Sequence, residues 1–169
     1  MRFIQEELTP IALQALVERI HQGKPLPHGA AVVTFDDGYK DNFTHAYPIL
    51  KEYEIPATIF VATAFIESPQ IFWWDQVFEM LRCTNKERLD FRSVTHLNRE
   101  EGILKSSTLP LTTPLQRIYV AEMLIEMIRF LPPQQISDTL SSLQWVLEVA
   151  DPKERGVDLM LTWKQIQEM

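Results

Sequence analysis

The sequence predicts an α/β fold built on parallel strands, and three observations carry that expectation. Residues Ala30-Ala31-Val32-Val33-Thr34-Phe35 form a short, continuously apolar run rich in β-branched side chains, the pattern of a strand covered on both faces. A second such run, Ala57-Thr58-Ile59-Phe60-Val61-Ala62, follows Pro56. Between the two lies a helix-type segment, so strand, helix and strand succeed one another within about 35 residues, the span of a βαβ unit with a right-handed crossover.

The elements follow in chain order. Thr9 and Pro10 offer a capping hydroxyl and then a proline for the first helical position. Leu13, Leu16, Val17 and Ile20 share one face of that helix, and Gly23 stops it. Lys24 to Gly29, with Pro25 and Pro27, reads as a rigid connector into the first strand. After that strand Asp41 or Asn42 can cap a helix whose apolar face uses Phe43, Tyr47 and Leu50, joined by Ile49. Pro48 falls inside this pattern, which predicts a kink or a late helix start.

From about residue 70 to 160 the pattern is helical or irregular. Leu115 to Leu131 is almost wholly apolar, with a thin polar stripe of Glu122, Glu126 and Arg129, so a well-buried helix is expected there, ended by Pro132-Pro133. Ile136, Leu140, Leu143, Leu147 and Ala150 form one stripe at helical spacing, closed by Asp151-Pro152. Residues 84 to 108 are polar and show no usable period. Near the end, Thr162-Trp163-Lys164-Gln165 has the spacing of a capping box.

Composition narrows the class. The chain has 169 residues with 16 Lys and Arg against 23 Asp and Glu, a net charge of −7. That balance speaks against general nucleic-acid binding, which needs clustered cations to neutralise phosphates. Hydrophobic residues make up 46% of the chain, enough for one globular core. The single cysteine, Cys83, excludes an internal disulfide framework and a multi-cysteine zinc site, and a structural role is expected for it. No apolar run approaches the roughly 20 residues of a membrane span. The start, Met1-Arg2-Phe3-Ile4-Gln5-Glu6-Glu7, turns acidic where a secretory signal would turn apolar, so a cytoplasmic chain is expected.

The most informative segment is Thr34-Phe35-Asp36-Asp37-Gly38-Tyr39. Its two carboxylates lie just past the C-terminal end of a strand, where parallel α/β folds place their sites. Adjacent negative charges repel, and burial raises the cost. A divalent cation would remove the conflict, with one aspartate as ligand and the other as a base. The spacing does not say which is which. The same doublet before glycine equally suits an ordinary turn or a helix cap.

Three segments then resemble one family. Val33-Thr34-Phe35-Asp36-Asp37-Gly38-Tyr39-Lys40-Asp41-Asn42, Ala46-Tyr47-Pro48-Ile49-Leu50-Lys51 and Ile55-Pro56-Ala57-Thr58-Ile59-Phe60-Val61 look like the opening of a polysaccharide deacetylase. Phe72-Trp73-Trp74-Asp75 and Leu161-Thr162-Trp163-Lys164-Gln165-Ile166 are similar to segments of its long-insert branch. Members are metal-dependent hydrolases that remove acetyl groups from sugars on a distorted (β/α) barrel. The resemblance implies the N-terminal part of such a barrel with a helical insertion: one incomplete domain over residues 1–169, its βαβ core at 29–66 and its insertion at about 70–160. It also implies Asp36 as catalytic base, Asp37 as metal ligand, a divalent metal (usually zinc), and a polysaccharide or glycan precursor as substrate.

The family completes its metal site with two histidines four residues apart on a later segment. Here the histidines are His21, His28, His45 and His96, and no two are three or four residues apart. Thr95-His96-Leu97 only superficially resembles the motif; a surface or loop role is expected for His96, and an exposed helix face for His45. The capping box at Thr162 opens a helix with little chain left, shorter than a stable isolated helix. A truncated deacetylase, inactive or incomplete by itself, is therefore the expectation; the alternative is a non-catalytic glycan-binding or interaction remnant. Two parallel strands cannot close a barrel and leave open edges. That predicts poor solubility, self-association through the sheet edge, or disorder around residues 84 to 110. Phe72, Trp73 and Trp74 could offer sugars a stacking platform, although core packing is favoured, and Trp145 and Trp163 are expected in the core.

Overall fold

The computed structural model describes residues 1–97, 107–152 and 158–169. Its elements run α1 (Arg2–Glu7), β1 (Thr9–Pro10), α2 (Leu13–His21), β2 (Ala30–Ala31), β3 (Val33–Phe35), α3 (Tyr47–Glu52), β4 (Ala57–Ile59), α4 (Trp73–Cys83), β5 (Arg88–Asp90), β6 (Thr108–Pro110), α5 (Pro114–Ile128), α6 (Pro133–Leu147) and α7 (Trp163–Glu168). The chain divides into two units, Met1–Ser68 with Asp158–Met169, and Pro69–Val157.

The first unit is the α/β part. β3 pairs in parallel with β4, Val33 opposite Ala57 and Phe35 opposite Ile59, and α3 lies between them in sequence. Pro48 sits in the first turn of α3, which is preceded by one π-helical stretch, Asn42–Ala46. The proline thus permits a late helix start, because its missing N–H falls where no intrahelical acceptor is needed. The apolar run at 30–35 is two strands rather than one. β2 pairs with β1, and the β3–β4 ladder begins only after Val32.

Thr9 and Pro10 do not open a helix, contrary to expectation. The Thr9 N–H donates to the Gly29 carbonyl at 2.9 Å and its hydroxyl to the His28 carbonyl at 2.9 Å. With those groups committed to the strand, α2 starts at Leu13 behind Ala12, which provides no side-chain cap. Burial is also lighter than two covered faces would give. Thr34 is exposed, Phe60 is 52% exposed, and Val17 and Ile20 of α2 face solvent.

The second unit holds a helical core. Val77, Met80 and Leu81 of α4, Val120, Ala121, Leu124 and Ile128 of α5, and Leu143 and Leu147 of α6 are buried in one cluster with Leu89, Val94, Leu97 and Leu111. The Arg117 guanidinium donates to the carbonyls of Leu81 at 2.7 Å, Thr84 at 2.8 Å and Leu111 at 2.8 Å. It thereby satisfies orphan carbonyls at the end of α4. Residues 88–90 and 108–110, in the stretch without a readable period, form the antiparallel pair β5–β6. The expectation of disorder there concerns residues 98–106 as well, which lie outside the described residues.

α5 is less buried than its composition predicts, with Leu115 79%, Ile118 47% and Tyr119 60% exposed. Phe72 is buried, stacked on Trp74 at 4.5 Å and 8°, and Trp73 meets Trp74 edge-on at 5.4 Å. These rings pack on one another. Trp145 and Trp163 are not core residues, being 80% and 46% exposed.

Candidate functional site

The acidic segment leaves the C-terminal end of β3 and is held by backbone hydrogen bonds on both sides. The Phe60 N–H donates to the Phe35 carbonyl at 2.8 Å and the Ala62 N–H to the Asp37 carbonyl at 3.1 Å. From the other side, the Leu161 N–H donates to the Gly38 carbonyl at 3.0 Å, and the Lys40 N–H donates to the Leu159 carbonyl at 2.7 Å. Tyr39 and Met160 bridge in antiparallel fashion. The Lys40 ammonium pairs with Asp158.

The turn itself is strained. Asp37 has φ +68° and Gly38 φ +81°, both in the left-handed region. Asparagine and aspartate tolerate that region better than other L-residues, at a cost of about 1–2 kcal/mol. Gly38 is buried, and a Cβ there would stand 3.0 Å from Cγ1 of Val61. Only glycine fits both the dihedral and the space. Strain of this kind gathers at functional sites when the surroundings enforce it.

Asp36 is exposed and Asp37 half-buried. Neither carboxylate accepts a hydrogen bond or forms an ion pair among the described residues. Two neighbouring anions thus stand without a partner cation among the described residues. Asn42, at the start of the π-helical stretch, is 6% exposed; its backbone N–H donates to the Tyr39 carbonyl at 3.0 Å, while its side-chain Nδ2 has no partner among the described residues. Sequence reasoning treated Asn42 only as a possible cap. Its position directly after the acidic motif was the available signal.

The histidines do not join the pair into a metal set. His21, His28 and His45 are exposed, and the Thr44 hydroxyl lies 2.8 Å from His45 Nδ1. His96, half-buried with φ +67°, faces Asp138 at 3.7 Å in the other unit. A catalytic zinc takes three protein ligands. Among the described residues no three His, Cys, Asp or Glu side chains gather to hold an ion. Among the described residues the donors are therefore too few for a complete zinc centre.

Comparison with known proteins agrees with the motif. The poly-beta-1,6-N-acetyl-D-glucosamine N-deacetylase of Escherichia coli K12 is 37% identical over 60 residues, which is 36% of this chain and 9% of that protein. The putative polysaccharide deacetylase YxkH of Bacillus subtilis 168 is 41% identical over 59 residues, 35% of this chain and 21% of that protein. The matched stretch is thus a small part of each curated relative. No solved structure matches the chain. The family model described as polysaccharide deacetylase matches residues 23–154, most of the sequence and both units, and on that match the chain belongs to the polysaccharide deacetylase family.

Proposed function

We propose that this chain carries the carboxylate part of a metal-dependent deacetylase that acts on amino sugars of a polysaccharide or glycan precursor, and that by itself it does not turn over substrate. The observation behind this reading is the acid pair: two adjacent carboxylates, unpaired among the described residues, at the end of a parallel strand, on a backbone held in a costly conformation. A plain turn would be better served by glycine at position 37. The reaction class is amide hydrolysis, in which water adds to the acetyl carbonyl, the carbon–nitrogen bond breaks, and acetate and a free amine are released.

In this reading Asp36, the more exposed acid, is the base that takes a proton from the attacking water. Asp37, whose carbonyl accepts from the Ala62 N–H and whose carboxylate is unpaired among the described residues, is the ligand position for a divalent cation, with zinc the first choice. The βαβ unit would be the opening of the family's (β/α) barrel. Lacking a third ligand among the described residues, the chain by itself is expected to bind zinc weakly and to release no acetate.

Calorimetric titration with zinc tests this. The expected result is an affinity weaker than micromolar that disappears in Asp37→Ala. Sub-micromolar binding would contradict the incomplete site, and binding unaffected by Asp37→Ala would contradict the assignment of Asp37.

A further inference from the structure

Trp145 lies near the end of α6 with 80% of its surface exposed. A lone surface aromatic means little, but this ring borders a hollow of about 710 Å³, within the roughly 300–1,000 Å³ of small-ligand clefts. Ser93, Ser141, Gln144 and the Lys86–Glu148 ion pair line it with the indole. Ser141 and Gln144 also line a second hollow of about 250 Å³ that reaches Trp73.

The lining chemistry is that of a sugar site. A pyranose ring presents C–H groups on a face and hydroxyls around its edge. An indole supplies a flat, rigid apolar surface for the face. The Gln144 amide, without a partner among the described residues, supplies two donors and an acceptor for the edge. The paired ions add further donors and acceptors without a net charge. Val146 and Val149 complete the lining, so apolar surface for a ring face and polar groups for its edge lie side by side. The single paired lysine in a chain of net charge −7 does not suit a phosphate backbone.

We propose that this face of α6 is a glycan-binding subsite, separate from the acid pair, that takes a chain of N-acetylated hexosamine units with one ring stacked on Trp145. The choice of hexosamine rests on the deacetylase reading; the stacking does not.

The test is titration of the full chain with an oligomer of N-acetylglucosamine, followed through the indole N–H resonances of the four tryptophans. The Trp145 signal should shift saturably. Trp145→Ala should weaken binding about tenfold or more, the scale of a lost stacking contact, while Trp145→Phe keeps most of it. Gln144→Ala should weaken binding less, and Asp37→Ala should leave it unchanged. No shift at Trp145, loss of binding in Asp37→Ala, or a Trp145 shift that follows protein concentration instead of sugar would overturn the subsite. Equal binding of a glucose oligomer would uphold the stacking site and remove its tie to deacetylation.

Discussion

Asp37 and Gly38 hold two successive left-handed conformations, and they show what a sequence can and cannot disclose about one turn. The doublet and its glycine mark the turn by residue type and place. That Gly38 is also hemmed in by Val61, and that Asp37 shares the unusual dihedral, depends on strand pairing that no local pattern encodes. Asn42 was harder still, because residue type alone does not disclose that an asparagine is buried with its Nδ2 unpartnered among the described residues. Gly38→Ala should destabilise the fold by about 2–5 kcal/mol, the sum of a left-handed alanine and a crowded methyl, read as a lower denaturant midpoint. Asp37→Gly, by contrast, should leave stability unchanged or raise it, since it relieves the dihedral while removing the proposed ligand. A marked loss of stability in Asp37→Gly would mean that the carboxylate serves the fold.

Elements were legible where period and capping chemistry coincided. Leu143 and Leu147 are buried on the predicted stripe of α6, with Ile136 and Leu140 packed against the same cluster. Trp145 was assigned to the core by residue type, yet it lies two positions from each of those leucines, about 200° around the helix, and so points away from them. Position outweighed hydrophobicity. The capping box at Thr162 formed as spaced, with the Gln165 N–H donating to the Thr162 hydroxyl at 3.2 Å and the Thr162 N–H donating to Gln165 Oε1 at 2.9 Å. A second box, Thr113 with Gln116, opens α5 just ahead of its apolar run. Thr113→Ala should cost about 1 kcal/mol, measured by chemical denaturation. An unchanged midpoint would show that core burial alone fixes the start of α5. Thr9-Pro10 misled because the same hydroxyl that caps helices can also serve a strand's neighbour.

At the scale of the whole molecule, burial is uneven. The buried hydrophobic cluster lies in the helical unit, whereas the acid pair belongs to the α/β unit of short parallel strands. Periodic helices disclose their core in sequence. Two-residue and three-residue strands do not disclose their partners, and ligands from outside a motif leave no trace within it. The central claim is that Asp36 and Asp37 form part of a cation site. Paramagnetic broadening by manganese(II), followed by amide NMR on the full chain, tests it most directly. The account predicts broadening concentrated on the amides of Asp36, Asp37, Gly38 and Tyr39 and on those of Val61 and Ala62, which bracket them, and its loss in Asp37→Ala. Broadening spread over the acidic surface and indifferent to Asp37→Ala would contradict it.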